Sequence, residues 1–466
     1  MSVGRWCAVI SCLSLVPPVA AQNGVGPSPA ASPGAPTQAA PQVGTPDVVV
    51  NALLDRKRGD WKRAESEHVV VFSKDSADAL ANVTRNLERL HALLSRLYRK
   101  GEQADATVKL QVTLIGSAGE FRALRLRSVR AEEGPYPAAF PPLTYYDPGE
   151  EGDILAVAHS GQIIDVNTNR SYHADCDDAL ANDATDCVGH TPNRPPATRP
   201  WEALLYGAFA QRFIQTYVPA PYPRWYLDGI GALFSTVEIK ANGAVSYGRP
   251  PLDYPQVFRA YGRLNIDDVL AGRYLAPARG KAEWTPYHAW LVAHYFLLAN
   301  LKPERAQQFR AYMTAIHQGQ TMAEAARAFG NTTRLERDII AYLTSEKPVA
   351  RAVPPEAPVG EPAIGTLSPG EAALVEARIE LGARLAAVPA DAAGAQDRDG
   401  WLAGIRDIAA RFPRDAGVQA FAAAADCRGG HAGECLADAE RALALSPNDV
   451  AALAWNGVAL TDLAIG

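Results

Sequence analysis

The chain has 466 residues, enough for two or three domains that each bury a core. A hydrophobic fraction of 48% and a charged fraction of 21% are ordinary for a globular protein. The formal net charge of −6 argues against nucleic acid or an anionic membrane surface as the main partner.

The first residues read as a targeting segment. Arg5 supplies a positive start, Trp6 to Val16 an apolar run of signal-peptide length, and Val19-Ala20-Ala21 small residues for cleavage. The expectation is a signal peptide over 1–21, with Pro17-Pro18 interrupting a run too short to span a bilayer. No later segment is long enough to cross one, so an exported protein, periplasmic or extracellular, is expected. Residues 22–46 are mostly Pro, Ala, Gly and other small or polar residues without periodicity, which predicts a flexible linker.

From Asp47 to residue 345 strand and helix signals alternate. His68-Val-Val-Val-Phe reads as a strand, and Asp75 to Tyr98 as an amphipathic helix. Leu80, Val83, Leu87, Leu90, Leu94 and Leu97 form that helix's apolar stripe. Val108 to Ile115 alternates with period two, as a half-buried strand does. Ala118 to Leu124 reads as a short helix, with Ile154–His159 and Gln162–Val166 as two further strands. After Trp201 almost everything reads as helical, including Trp284–Leu301, Lys302–Ile316, Thr321–Phe329 and Thr333–Leu343. A strand-rich half followed by a helical half predicts an α+β domain.

The stretch Trp201–Thr236, WEALLYGAFAQRFIQTYVPAPYPRWYLDGIGALFST, reads as an apolar helix, a Pro/Tyr-rich loop and a second helix. Together with RAESEHVVVFS, VTLIGSAGEFRAL and the later YHAWLVAHYFLL, this succession resembles the peptidase-MA-like gluzincin domain over roughly residues 60–344. The resemblance implies a zincin-like fold, a zinc on the first of the two helices and a peptidase ancestry. The diagnostic His-Glu-x-x-His is absent. The family's first zinc histidine falls on Tyr206, its general-base glutamate on Gly207, its second histidine on Ala210 and its acidic third ligand on Asp228. A further family acid falls on Ala232.

Catalytic zinc needs three protein ligands and an open position for water. One carboxylate cannot supply that, and without the glutamate a proton-transfer contribution of about 10²–10⁴-fold is missing. The expectation is therefore a zinc-peptidase-like domain without catalytic residues, metal ligands or cofactor. Its former cleft would be lined by Glu202, Tyr206, Trp225, Asp228, Tyr287 and His288. The alternative is an active metal-dependent peptidase with substitute ligands such as Asp228, His173 and His190, in which case zinc is the cofactor. His173-x-x-Cys176 and Cys187-x-x-His190 mirror each other in an acidic insert and could form a zinc knuckle. In an exported chain the favoured reading is a Cys176–Cys187 disulfide. A second local pair, Cys427 and Cys435, reads as another disulfide.

Residues 346–365, Pro-rich, read as a second linker. Beyond it Arg411-Phe-Pro413-Arg-Asp415 recurs as Leu445-Ser-Pro447-Asn-Asp449. The offset of 34 residues is the tetratricopeptide period. Helices are expected over Pro369–Ala387, Asp399–Arg411, Ala416–Ala425, Gly433–Leu445 and Val450–Leu463, making 366–466 an all-α, tetratricopeptide-like region. Such repeats offer a concave surface to protein partners. The expected function is non-catalytic: binding a peptide or protein through the repeats and the former cleft, or scaffolding an envelope assembly.

Overall fold

The computed structural model describes residues 60–98, 109–124, 126, 143–149, 152–160, 162–165, 170–173, 197–240, 242–251, 265–272, 285–345, 350–354, 359–385 and 392–465. The signal-peptide and first-linker expectations lie outside the described residues, as do Cys176, Cys187 and His190. The side chains of 162–199 and 285–287, His173 and Tyr287 among them, are likewise not described.

A six-stranded mixed sheet forms the strand-rich N-terminal half, in the order β12-β1-β2-β3-β5-β4. β2 (Val69–Ser73), β3 (Leu110–Ile115) and β5 (Gly152–Ala158) run parallel. β1 (Lys62–Glu65) and β4 (Thr144–Gly149) flank them antiparallel, and β12 (Ala363–Thr366) adds antiparallel to β1. Two small sheets complete the strands. One orders β11 (Arg351–Val353), β10 (Val245–Tyr247) and β9 (Glu238–Ile239); the other orders β7 (Arg170–His173), β6 (Gln162–Asp165) and β8 (Ala197–Arg199).

Period-two alternation decides which layer each strand residue meets. Phe72, Gln111, Thr113 and Ile154 face the helix α10 (Pro369–Leu385). Val71, Val112 and Leu155, on alternate positions, are fully buried. They belong to the face against which α1 (Ala77–Tyr98) and α3 (Trp201–Tyr217) pack. The stripe predicted for α1 is the buried one: Leu80, Leu87, Leu90 and Leu94 are fully enclosed.

The helical half continues with α4 (Arg224–Phe234), α5 (Ile266–Leu270), α6 (Thr285–Leu298) and α7 (Pro303–His317). It closes with the short α8 (Met322–Ala325), which runs on into a 3₁₀ turn, and α9 (Thr332–Ser345). Four helices follow α10: α11 (Ala392–Arg411), α12 (Ala416–Gly429), α13 (Ala432–Leu445) and α14 (Val450–Ile465). The repeat seen in the sequence is a repeat of structure at its turns. Asp415 N–H donates to the Phe412 carbonyl and Asp449 N–H to the Ser446 carbonyl, each over 3.1 Å. Each aspartate then accepts from a backbone amide of the next helix, Val418 or Ala452. Cys427 and Cys435 form the expected disulfide between α12 and α13.

Two expectations are corrected. The stretch 346–365 carries β11 and most of β12 rather than serving only as a linker, and the region after Trp201 contains four short strands. The cause is the same in both. These strands are two to four residues long, too short for alternation to show, and β11 and β12 are fixed by backbone pairing to β10 and β1, about 100 and 300 residues earlier. No helix among the described residues is long and apolar enough to cross a membrane.

Candidate functional site

The stretch carrying the family resemblance folds into two buried helices held at unusually close range. α3 is apolar nearly all round, and a helix of that kind belongs inside a protein. Pro200 and Pro223 sit at the two N-caps, where a missing N–H costs nothing. At the general-base position, a Cβ on Gly207 would lie 2.8 Å from the backbone oxygen of Gly231 on α4. Gly231 in turn lies against the Gln211 side chain, whose amide donates to the Leu227 carbonyl at 3.0 Å. The other side of α4 is as tight: a Cβ on Gly229 would meet Ala293 and the Ala289 carbonyl of α6 at 2.5 and 2.6 Å. The sequence Asp228-Gly-Ile-Gly231 thus lets three helix backbones stack with almost no side chain between them.

The other family positions are also built into packing. Tyr206 is buried, and its hydroxyl accepts a long 3.4 Å hydrogen bond from Asn86 of α1. Burial pushes this phenol up to about 12 despite the Asn86 bond. Ala210 is fully enclosed. Asp228 is 6% exposed and bonds to Arg224 Nε, one turn earlier, at 2.7 and 2.9 Å. Its carboxyl is pushed up to about 7, because desolvation outweighs the Arg224 charge and hydrogen bond. Glu202 is raised by desolvation as well.

Of the residues expected to line the former cleft, Trp225 is fully buried, and its indole N–H donates to Tyr312 Oη at 3.0 Å. His288 is partly buried. Tyr206, Trp225 and Asp228 therefore face packing, not an open groove. His294 is also structural. Its Nε2 lies 2.8 Å from the Gly248 carbonyl and its Nδ1 2.8 Å from the Tyr342 hydroxyl. A carbonyl only accepts, so Nε2 carries the proton and Nδ1 accepts from Tyr342. Burial lowers this imidazole to about 4.

A separate cluster was not singled out from sequence. His68 precedes β2, while Glu88 and His91 lie three residues apart on one face of α1. Each offers one ligand atom, and the three atoms lie within 4.8 Å of one another. Glu88 accepts from Ser66 Oγ at 2.5 Å, from the His68 amide at 2.8 Å and lies 2.7 Å from His68 Nδ1. Burial pushes the Glu88 carboxyl up, but these hydrogen bonds win and hold it below the usual range. The His68 and His91 rings stack at 3.7 Å, with Phe213 and Tyr217 of α3 edge-on to His91. The Glu-x-x-His spacing was the signal available; the histidine twenty residues upstream is brought in only by the fold.

A cleft of about 220 Å³ lies elsewhere, between the β4 end of the sheet and the helices α10, α12 and α14. Asp147, Leu381, Phe421, Arg428 and Asp449 are among its lining residues. Compared with protein-family models, curated proteins and solved structures, the chain finds no match.

Proposed function

We propose that this chain is an exported, non-hydrolytic relative of gluzincin peptidases that binds a protein or peptide, with tetratricopeptide-like helices as part of the binding surface. The observation that carries the reading is the Gly207–Gly231 contact. A zinc peptidase needs a glutamate side chain and a metal-bound water at this point on the helix. In this chain the same point is 2.8 Å from another backbone, so there is room for neither. Asp228, the one family acid retained, is held by Arg224. The succession of sheet, α3, α4 and α6 supports the zincin-like assignment, and the repeated Asp-capped turns support the tetratricopeptide-like one. The intramolecular disulfide is compatible with export. The cleft between the sheet and the helical region, lined by residues of both, is the surface we assign to the partner.

The test is hydrolysis of casein and of a mixed fluorogenic peptide library by the purified chain, with zinc added and with chelator. No cleavage is expected under either condition. Chelator-sensitive cleavage that disappears in Asp228→Ala would overturn the reading and favour the substitute-ligand peptidase. For binding, the same library immobilised should retain the wild-type chain and release the Arg428→Glu variant, whose substitution reverses one charge of the cleft. Equal retention of both would remove the cleft from the proposal.

A further inference from the structure

We propose that His68, Glu88 and His91 form a zinc site, separate from the α3–α4 position that the family resemblance implies. Two imidazoles and a carboxylate are a donor set that zinc takes, with bonds of about 2.0–2.2 Å. A tetrahedral arrangement at that radius places ligand atoms about 3.3–3.6 Å apart. The three atoms already lie within 4.8 Å of one another, so closing on an ion asks them to approach by roughly 1.5 Å at most, with the two stacked rings turning toward it. The site is almost dry: the side chains of His68 and Glu88 are 12% and 7% exposed, and His91 is 4% exposed. In such surroundings a divalent ion and a carboxylate interact far more strongly than in water.

The surrounding structure holds the ligands in place. Ser66 and the His68 amide bind one oxygen of Glu88, fixing the carboxylate while the other oxygen faces His68 Nδ1. Such outer contacts commonly orient metal-binding side chains. In the metal-free state a proton occupies the space between His68 Nδ1 and Glu88 Oε2; zinc would displace it. The ion would then join the start of β2 to the middle of α1. Its role is to fix that junction, and it needs no hydrolytic activity at α3. Zinc bound here without peptide cleavage leaves the preceding proposal standing, and absence of zinc here does not affect it.

The experiment uses the full chain, stripped with chelator and dialysed against zinc. One zinc per chain is expected, with a rise in thermal midpoint. Cobalt(II) substitution should give the visible absorption of a site with nitrogen and oxygen ligands. Glu88→Gln keeps the size and a hydrogen-bonding oxygen; together with His91→Asn it should lose more than about 100-fold in zinc affinity, beyond what loss of an outer contact alone costs. His173→Ala/His190→Ala, removing the insert's histidines, should bind zinc as wild type does. The proposal is overturned if the wild-type chain takes up no stoichiometric zinc. It is equally overturned if Glu88→Gln, folded by circular dichroism, binds zinc as tightly as wild type, or if the insert variant is the one that loses it.

Discussion

Gly207→Ala is the sharpest probe of the α3–α4 junction. The added methyl carbon would sit 2.8 Å from Gly231 O and 3.4 Å from Gly231 C, both backbone atoms that cannot rotate away. Carbon and oxygen need roughly 0.4 Å more, so the helices must part. They cannot do so freely, because α4 is wedged against α6 through Gly229. Overpacking of this kind costs about 1–3 kcal/mol. Alanine's better helix propensity returns up to about 1 kcal/mol, which leaves a net loss of up to about 2 kcal/mol. Gly404→Ala is the control. It lies on an exposed helix face with nothing within 4 Å of its Cβ, and should gain about 0.5–1 kcal/mol. Thermal unfolding followed by circular dichroism reads both; at roughly 2–4 °C per kcal/mol the two variants should differ by several degrees. If Gly207→Ala is as stable as Gly404→Ala, the contact is not tight and the filled-site argument fails. The same contact predicts that installing His-Glu-x-x-His by Tyr206→His, Gly207→Glu and Ala210→His destabilises the chain without giving it zinc-dependent hydrolysis.

Asp228 makes stability depend on pH. An acid whose folded value, about 7, lies above its unfolded value of 3.8 binds its proton more tightly when folded. Its contribution is complete below about pH 4 and is lost as pH rises through 7, a change on the order of 4 kcal/mol. Asp228→Asn should therefore gain on wild type between pH 4 and 8 in paired melts; a lead that shrinks with rising pH would mean the Arg224 ion pair dominates. Arg212, 2% exposed, donates from Nε to Asp153 at 2.6 Å. Arg212→Met should cost about 3 kcal/mol by removing the charge partner of a partly buried carboxylate, which then keeps its 3.0 Å hydrogen bond from Thr216 Oγ1. Adding Asp153→Ala should recover part of that, and simple additivity in the double-mutant cycle would refute the coupling. Cys427 and Cys435 enclose a short loop, eight residues apart in sequence. Their replacement by serine should cost about 2–3 kcal/mol, seen as an earlier unfolding step that reductant no longer shifts.

Strong local periodicity made part of this fold legible. The α1 stripe and the alternation of β3 each specify a buried face without reference to anything distant. The Pro-x-Asp turns after Arg411 and Leu445 likewise carry their capping groups within four residues. β9 and β10 were hidden because two or three residues carry no period, β4 because its TYYDPG ends in turn-forming residues, and β11 and β12 because their partners lie about 100 and 300 residues earlier. At the candidate site, sequence showed that Tyr206, Gly207 and Ala210 are the wrong residues for zinc. It did not show why a glycine stands at 207, because the reason lies in Gly231 of another helix. His68, Glu88 and His91 escaped notice for a related reason: a helix spacing of three is visible in sequence, but a third donor arriving from the bend before β2 is not.

The pairing of β12 with β1 bears on how the protein is made. β1 is one of the first ordered strands to leave the ribosome, yet its outer neighbour, Ala363–Thr366, is synthesised about 300 residues later. At synthesis rates of about 5–20 residues per second, that edge stays uncovered for about 15–60 s. An uncovered strand edge is a template for pairing with other chains. Any shortened form ending before Thr366 would keep that edge open, and one ending at Leu367, whose N–H reaches back to the Trp61 carbonyl, would close the edge but uncover the sheet face on which Val375 and Ile379 pack.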